Sequence, residues 1–281
     1  MRPACFAPPE PCGSPSDPVR ETPRRQRVLR GAAMVAHSLG VWLAARLLCP
    51  RLSAAGRLRL LARCAARTLS ILRVRLVTRG VRSHAGGPCL VVANHVSWLD
   101  VYALNAVEGA RYVAKSEVAR WPLAGAIARG FDTLFIVRGR LRDAKRVKEE
   151  VASALRGGNR VVVFPEGTTT DGSDVGRFHA ALFQAAVDAG APVQPVAIRY
   201  RRADGRRDDA AAFIGDMTFV ESLRNVLRRP SITAELTWGP VVLPHGLGRR
   251  DLVEITHRFV RLSLANAWTV RTAAVRVRQA A

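Results

Sequence analysis

The chain predicts an α/β fold, a central and largely parallel β-sheet flanked by helices and preceded by an N-terminal pair of helices. Two patterns point to it. Short apolar runs alternate with amphipathic segments of helical length from about residue 72 onward, which is the order of a βαβ protein. Two of the most apolar runs, Cys89–Ala93 and Arg160–Phe164, each open into a polar turn rich in functional groups.

In chain order, residues 1–30 form a Pro- and Arg-rich lead without apolar periodicity, expected to be disordered. Residues 31–49 are apolar and, as a helix, about 28 Å long, close to the hydrocarbon thickness of a bilayer, though His37 and Arg46 interrupt them. Pro50 ends that segment. From Arg57 to Leu72, Arg59, Arg63 and Arg67 fall on one stripe and Leu58, Leu61, Ala65, Leu69 and Leu72 on the other. Residues 31–72 are therefore expected to be a membrane-associating helical anchor, apolar stems in the acyl region and guanidinium groups on lipid phosphates. Two ordinary packed helices are the alternative.

The expected strands are 72–78, 90–93, 111–114, 133–137, 161–164, 193–200 and 232–238. Helices are expected over 98–107, 123–129, 142–155, 178–189, 220–227 and 250–267. Residues 73–268 thus form one catalytic domain and 269–281 a C-terminal tail. Residues 201–212 read as a charged surface loop.

The formal charge is +22, and arginine supplies 41 of the 44 positive side chains. Glu21 and Asp100 bracket a stretch with no acidic residue, which suits an anionic surface. No helix-turn-helix, zinc or RNA-binding signature accompanies the charge, so no nucleic acid is expected. The five cysteines lack paired metal-ligand spacing and the histidines do not cluster with them, so no metal is expected.

The chemistry is expected at Asn94-His95-Val96-Ser97-Trp98-Leu99-Asp100. Asp100 can hold one nitrogen of the His95 ring and fix its tautomer, leaving the other to take a proton from an alcohol. No Ser or Cys nucleophile motif is present, which assigns the alcohol to the substrate. The second turn, Pro165-Glu166-Gly167-Thr168, presents a carboxylate, an amide and a hydroxyl at the same kind of strand end. Asn94 and nearby amides are candidates to steady an oxyanion. Trp98 and Phe164 read as core, and Ser97 as a helix cap.

Asn94–Asp100 together with Phe164–Thr168 resembles the two signature blocks of the glycerolipid acyltransferase family, which includes bacterial 1-acylglycerol-3-phosphate acyltransferases. Gly130–Arg138 is similar to the family's block ending in a substrate-binding Arg, and Ala191–Ile198 to its block with Pro inside an apolar strand. Ala114–Glu117, Trp121-Pro122, Thr169–Gly172 and Phe213–Met217 are similar to the lyso-ornithine-lipid acyltransferase branch.

The resemblance implies a glycerol-3-phosphate acyltransferase-like fold and an O-acyltransferase on the cytoplasmic face of the cell membrane. It implies acyl-CoA or acyl-carrier protein as co-substrate, no cofactor, and 1-acylglycerol-3-phosphate as acceptor, with lyso-ornithine lipid as the alternative. His95 and Asp100 would be catalytic; Arg138, with Glu166, Gly167, Thr168 and Lys115, would hold the acceptor's polar end. Many relatives continue with Arg-Ser after Thr168, whereas Thr169 and Thr170 stand here, removing one possible phosphate contact. A non-catalytic basic lipid- or nucleic-acid-binding protein is the alternative of a different class; the intact His95/Asp100 pair argues against it.

Overall fold

The computed structural model describes residues 21–83, 87–121, 123–137 and 141–265. The strands are β1 (Val74–Arg79), β2 (Cys89–Ala93), β3 (Arg111–Lys115), β4 (Leu134–Ile136), β5 (Arg160–Val163), β6 (Val193–Arg201) and β7 (Ile232–Trp238). The α-helices are α1 (Arg24–Leu47), α2 (Ala54–Ile71), α3 (Leu99–Glu108), α4 (Ser116–Ala119), α5 (Ala124–Gly130), α6 (Leu141–Arg156), α7 (Phe183–Ala189), α8 (Phe219–Arg228) and α9 (Arg249–Ala265). All strands join one sheet in the order β1-β7-β6-β2-β5-β3-β4. Every pairing is parallel except that of β6 with β7.

β2 is central and buried along its whole length, because its five residues are apolar and both faces are covered by helices. The pleat sends successive side chains to opposite layers. Val91 and Ala93 enter a core with Leu69 and Leu72 beside α2, Leu99 and Ala103 of α3, and Val226 of α8. Leu90 and Val92 enter a core with Val147 and Val151 of α6, Phe183 of α7, and Leu252 and Val260 of α9. The chain leaves β2 toward β3 past β5, then returns from β5 to β6 past β2. The C-terminal ends of β2 and β5 therefore flank the point where the winding reverses, the usual place for a site in such sheets.

The N-terminal part differs from the sequence expectation in two ways. Residues 21–30 do not belong to a lead: α1 starts at Arg24, and the Thr22 amide donates to the Arg228 carbonyl (2.8 Å). Arg30 is the reason the segment is held. Its buried guanidinium donates to the carbonyls of Ile71 (3.2 Å), Leu72 (2.6 Å), Leu227 (3.1 Å) and Arg229 (3.0 Å), so one cation closes the C-termini of α2 and α8. The apolar stripe of α2 is also committed elsewhere. Ala65, Leu69 and Leu72 are buried and the helix packs on α3, while Arg59, Arg63 and Arg67 face solvent. Close approach of α1 to α5 depends on Gly130, whose added Cβ would lie 2.8 Å from Ala45 Cβ.

The segment 201–212 is only partly a surface loop. Ala211 and Ala212 are core residues, and buried Asp208 accepts from Arg229 Nε (2.9 Å). Of the N-terminal lead and the C-terminal tail, residues 1–20 and 266–281 lie outside the described residues.

Arg30→Ala would strand four helix-end carbonyls away from a donor. We expect a loss of roughly 2–3 kcal/mol, read as a lower urea midpoint at constant m-value; an unchanged midpoint would show that α1 is not tied to the domain through this side chain.

Candidate active site

β2 delivers His95 two residues past its last strand position, and Ser97 then turns the chain into α3, its Oγ accepting the Leu99 amide (3.3 Å). That turn brings Asp100, on the first turn of α3, back beneath the imidazole. Asp100 Oδ2 accepts from His95 Nδ1 (2.8 Å) and from the amides of Val96 (2.7 Å) and Ser97 (2.9 Å). Oδ1 accepts from the Tyr200 hydroxyl (2.7 Å). The carboxylate has no exposure at all, and these four donors satisfy it.

A carboxylate only accepts, so Nδ1 carries the ring hydrogen and Nε2 is left as the base. The His95 side chain keeps 21% of its surface exposed, enough for a ligand to reach that nitrogen. The Phe164 ring lies parallel to the imidazole with centroids 4.1 Å apart, a face able to stabilise an imidazolium. Tyr200 sits at the end of β6, on the same face as Val196 and Ile198. Its phenol is pushed well above the ordinary tyrosine range by burial first and by the neighbouring Asp100 charge second, so it stays a donor.

The second turn supports the first. Glu166 is buried, with Oε1 accepting the His95 amide (2.7 Å) and Oε2 the Gly176 amide (2.7 Å). Burial raises its carboxyl above the usual value and the two amides pull it back. Glu166, expected at the acceptor's polar end, spends each oxygen on a backbone amide and ties His95 to the loop ahead of α7. Gly167, at φ +72°, closes the turn through its own amide on the Phe164 carbonyl (3.0 Å), so that amide is not open to substrate either. Asn94 is committed in the same way. It is wholly buried and bridges β2 to β6, accepting from the Ile198 amide (2.7 Å) and donating to the Ile198 carbonyl (3.0 Å). It is a strut between strands, not a donor facing an oxyanion.

Thr168 is exposed at this edge, and Lys115 is exposed at the C-terminal end of β3, the same end of the sheet. Arg138 lies outside the described residues. Thr169 and Thr170 fasten the loop: Thr169 Oγ1 donates to the Phe213 carbonyl, and the Thr170 amide to the His95 carbonyl (2.8 Å). Trp98, read as core, is half-buried and donates to Ser222 Oγ (2.9 Å). Sequence reasoning missed Tyr200, the stacking of Phe164 on His95, and Gly176. The alternation of apolar residues along β6 signals that Tyr200 faces inward, but only the register with β2 places it beside Asp100. Among the described residues no group of His, Cys, Asp and Glu converges to hold a metal ion.

The acyltransferase family model matches residues 75–199, which contain His95, Asp100, Glu166 and Gly176 but not Tyr200, Phe213 or Ser222. A lyso-ornithine lipid O-acyltransferase of Pseudomonas aeruginosa is 41% identical over 177 residues, covering 63% of this chain and 68% of that protein. The chain belongs to the acyltransferase family. A second lyso-ornithine lipid O-acyltransferase, from Brucella abortus, is 36% identical over 66% of this chain and 74% of its own. A 1-acyl-sn-glycerol-3-phosphate acyltransferase of Neisseria gonorrhoeae is 43% identical over 131 residues, 47% of this chain and 51% of that one. The fold of the acyltransferase is that of the solved 1-acyl-sn-glycerophosphate acyltransferase from Thermotoga maritima (TM-score 0.60, 22% identity, 87% of this chain and 100% of that one).

Tyr200→Phe removes one of the four donors to Asp100 and little else. Turnover is expected to fall about tenfold, near 1.4 kcal/mol of transition-state stabilisation, with both substrate KM values kept within about twofold; unchanged turnover would remove Tyr200 from the positioning of the pair.

Proposed function

We propose that this acyltransferase moves a fatty acyl chain from a thioester, acyl-CoA or acyl-carrier protein, to the free hydroxyl of a lysolipid, with His95 as general base. The observation that carries the reading is the His95–Asp100 bond at the C-terminal end of the central strand, with Nε2 left open. Nε2 takes the hydroxyl proton as the oxygen attacks the thioester carbonyl. Asp100, backed by Tyr200, stabilises the imidazolium that forms. The tetrahedral intermediate then collapses, the C–S bond breaks, and the imidazolium returns its proton to the leaving thiolate. A thioester is already activated, so ester and thiol form without an acyl-enzyme.

Arg138, with Lys115 and Thr168, is assigned to the acceptor's anionic end, where a guanidinium fork grips phosphate or carboxylate equally well. Two acceptors fit. The longer matches, to lyso-ornithine lipid O-acyltransferases, and the use of Thr169 and Thr170 as loop fasteners favour lyso-ornithine lipid. The higher identity over a shorter stretch favours 1-acylglycerol-3-phosphate.

We place the chain on the cytoplasmic face of the membrane, held by α1. A window of mean hydropathy 1.5 within Arg24–Arg51 is long and apolar enough to cross a bilayer. However, Met34, Val41 and Ala45 are buried against the protein, while Val28, Leu29, Val35, Leu39, Leu43 and Leu47 are exposed on the other side. A helix apolar all round needs an apolar surrounding on both sides; here the domain supplies one and lipid would supply the other, so α1 lies along the surface. Arg59, Arg63 and Arg67 are available for lipid phosphates.

His95→Ala should cut turnover by about 100- to 10,000-fold while circular dichroism stays wild-type, in a screen of labelled thioester against lyso-ornithine lipid and 1-acylglycerol-3-phosphate. Wild-type-like turnover would overturn the assignment, and the accepted lipid decides between the two acceptors. Leu39→Glu with Leu43→Glu, both on exposed positions, should release the protein from anionic vesicles; undiminished vesicle binding would reject α1 as the anchor.

A further inference from the structure

A groove of about 740 Å³ lies on the sheet layer that carries α9, between that helix and residues 177–180. Its walls are Arg177 and His179 on one side and Arg250, His257, Arg258 and Arg261 on the other. The inward residues of α9, Leu252, Thr256 and Val260, are buried, so the arginines occupy the helix face turned away from the core. Glu254 is the one acid in the lining. Among the described residues none of the four arginines makes a hydrogen bond or an ion pair. Four unpaired guanidinium groups around one cavity of small-molecule size call for several negative charges at once.

The groove is wired to the reaction centre. His257 Nε2 donates to the Gly176 carbonyl (3.2 Å), and its ring meets the buried Phe178 ring edge-on at 5.0 Å. The Gly176 amide donates to Glu166, which in turn accepts the His95 amide. Gly176 also has no room for a side chain, since a Cβ would sit 2.8 Å from Glu166 Oε2. The exposed apolar side of α1 belongs to the other layer, which packs on α2, α5 and α8. A ligand in the groove is therefore met away from the lipid-facing helix, on the side open to water.

We propose that this groove seats the phosphorylated adenosine end of coenzyme A, so that the donor is the coenzyme A thioester and its pantetheine arm runs past Gly176 toward His95. The inference rests on the thioester reading of the function. It goes further by choosing the donor and naming its binding residues. The 3′-phosphate and the diphosphate of coenzyme A together carry about four negative charges, one for each arginine of the groove, and suit the planar fork, whereas a carrier protein would need a broad convex contact instead of a cavity.

The test uses the full chain. Calorimetry with adenosine 3′,5′-bisphosphate, coenzyme A and 3′-dephospho-coenzyme A is combined with steady-state kinetics for the wild type, Arg258→Ala/Arg261→Ala and Arg177→Ala. Both variants should raise the acyl-CoA KM by about tenfold or more, with the lysolipid KM kept within about twofold. Adenosine 3′,5′-bisphosphate should compete with the acyl-CoA donor, bind His95→Ala as it binds the wild type, and lose affinity for the groove variants. An unaltered donor KM, turnover with acyl-carrier protein but not with acyl-CoA, or displacement of the bisphosphate by anionic vesicles would each overturn the assignment. If no thioester supports transfer at all, the reaction itself is misread, and bisphosphate binding that ignores the arginines would sink the groove separately.

Discussion

A buried carboxylate without exposed surface is the constraint on which this site depends. Asp100 is tolerated in the interior because four donors surround it, and those donors come from places far apart in the chain: the His95 ring, two amides of its own turn, and Tyr200 at the end of β6. Removing a charge of this kind from water is costly unless such partners are in place. The turn between β2 and α3 is therefore shaped by the acid as much as it presents the acid. The ring that results is held by Asp100 on its edge and by Phe164 on its face, while its main chain is held by Glu166 and Thr170. Each degree of freedom that would move Nε2 has a named restraint.

The sheet explains how those restraints meet. β2 runs between β5 and β6, so the turn after β2 is bounded by Glu166 on one side and by Tyr200 and the Ile198 peptide on the other. The alternation of side chains then separates two working surfaces. One helical layer carries the exposed apolar side of α1 and the arginines of α2; the other carries the basic groove along α9. In the proposed reaction a lipid acceptor and a water-soluble thioester need different approaches to one imidazole, and the two layers would supply them.

Much of this was legible before any coordinates. Each expected strand exists within about two residues, because apolar β-branched runs bounded by turn residues have few other uses. The pairing of His95 with Asp100 was legible because it is local. What the sequence hid was contact across long separations and the choice between facing a ligand and facing the protein. Tyr200 and Asn94 look alike on paper, polar residues at strand ends, yet one supports the Asp100 carboxylate and the other stitches two strands. Glu166 stands in a turn that suggests a binding group, and only the positions of two amides reveal it as a brace. Helix α7 starts at Phe183 instead of 178, since Gly176 and His179 are held by the Glu166 side chain and the Pro165 carbonyl before the helix can begin. Arginine density over residues 21–30 reads as solvation, yet Arg30 is one of the few arginines that the fold buries.

With α1 as the proposed anchor, that buried arginine also sets how far the enzyme can sink. Its guanidinium is the clasp between the first helix and the closing turns of two others. An upright orientation across the bilayer would have to break the clasp and leave four carbonyls bare. The first helix can therefore immerse only its outer half, some 5 Å of its diameter. On the proposed anchoring, the molecule would float like a hull on a single leaflet and draw its acceptors from that leaflet alone.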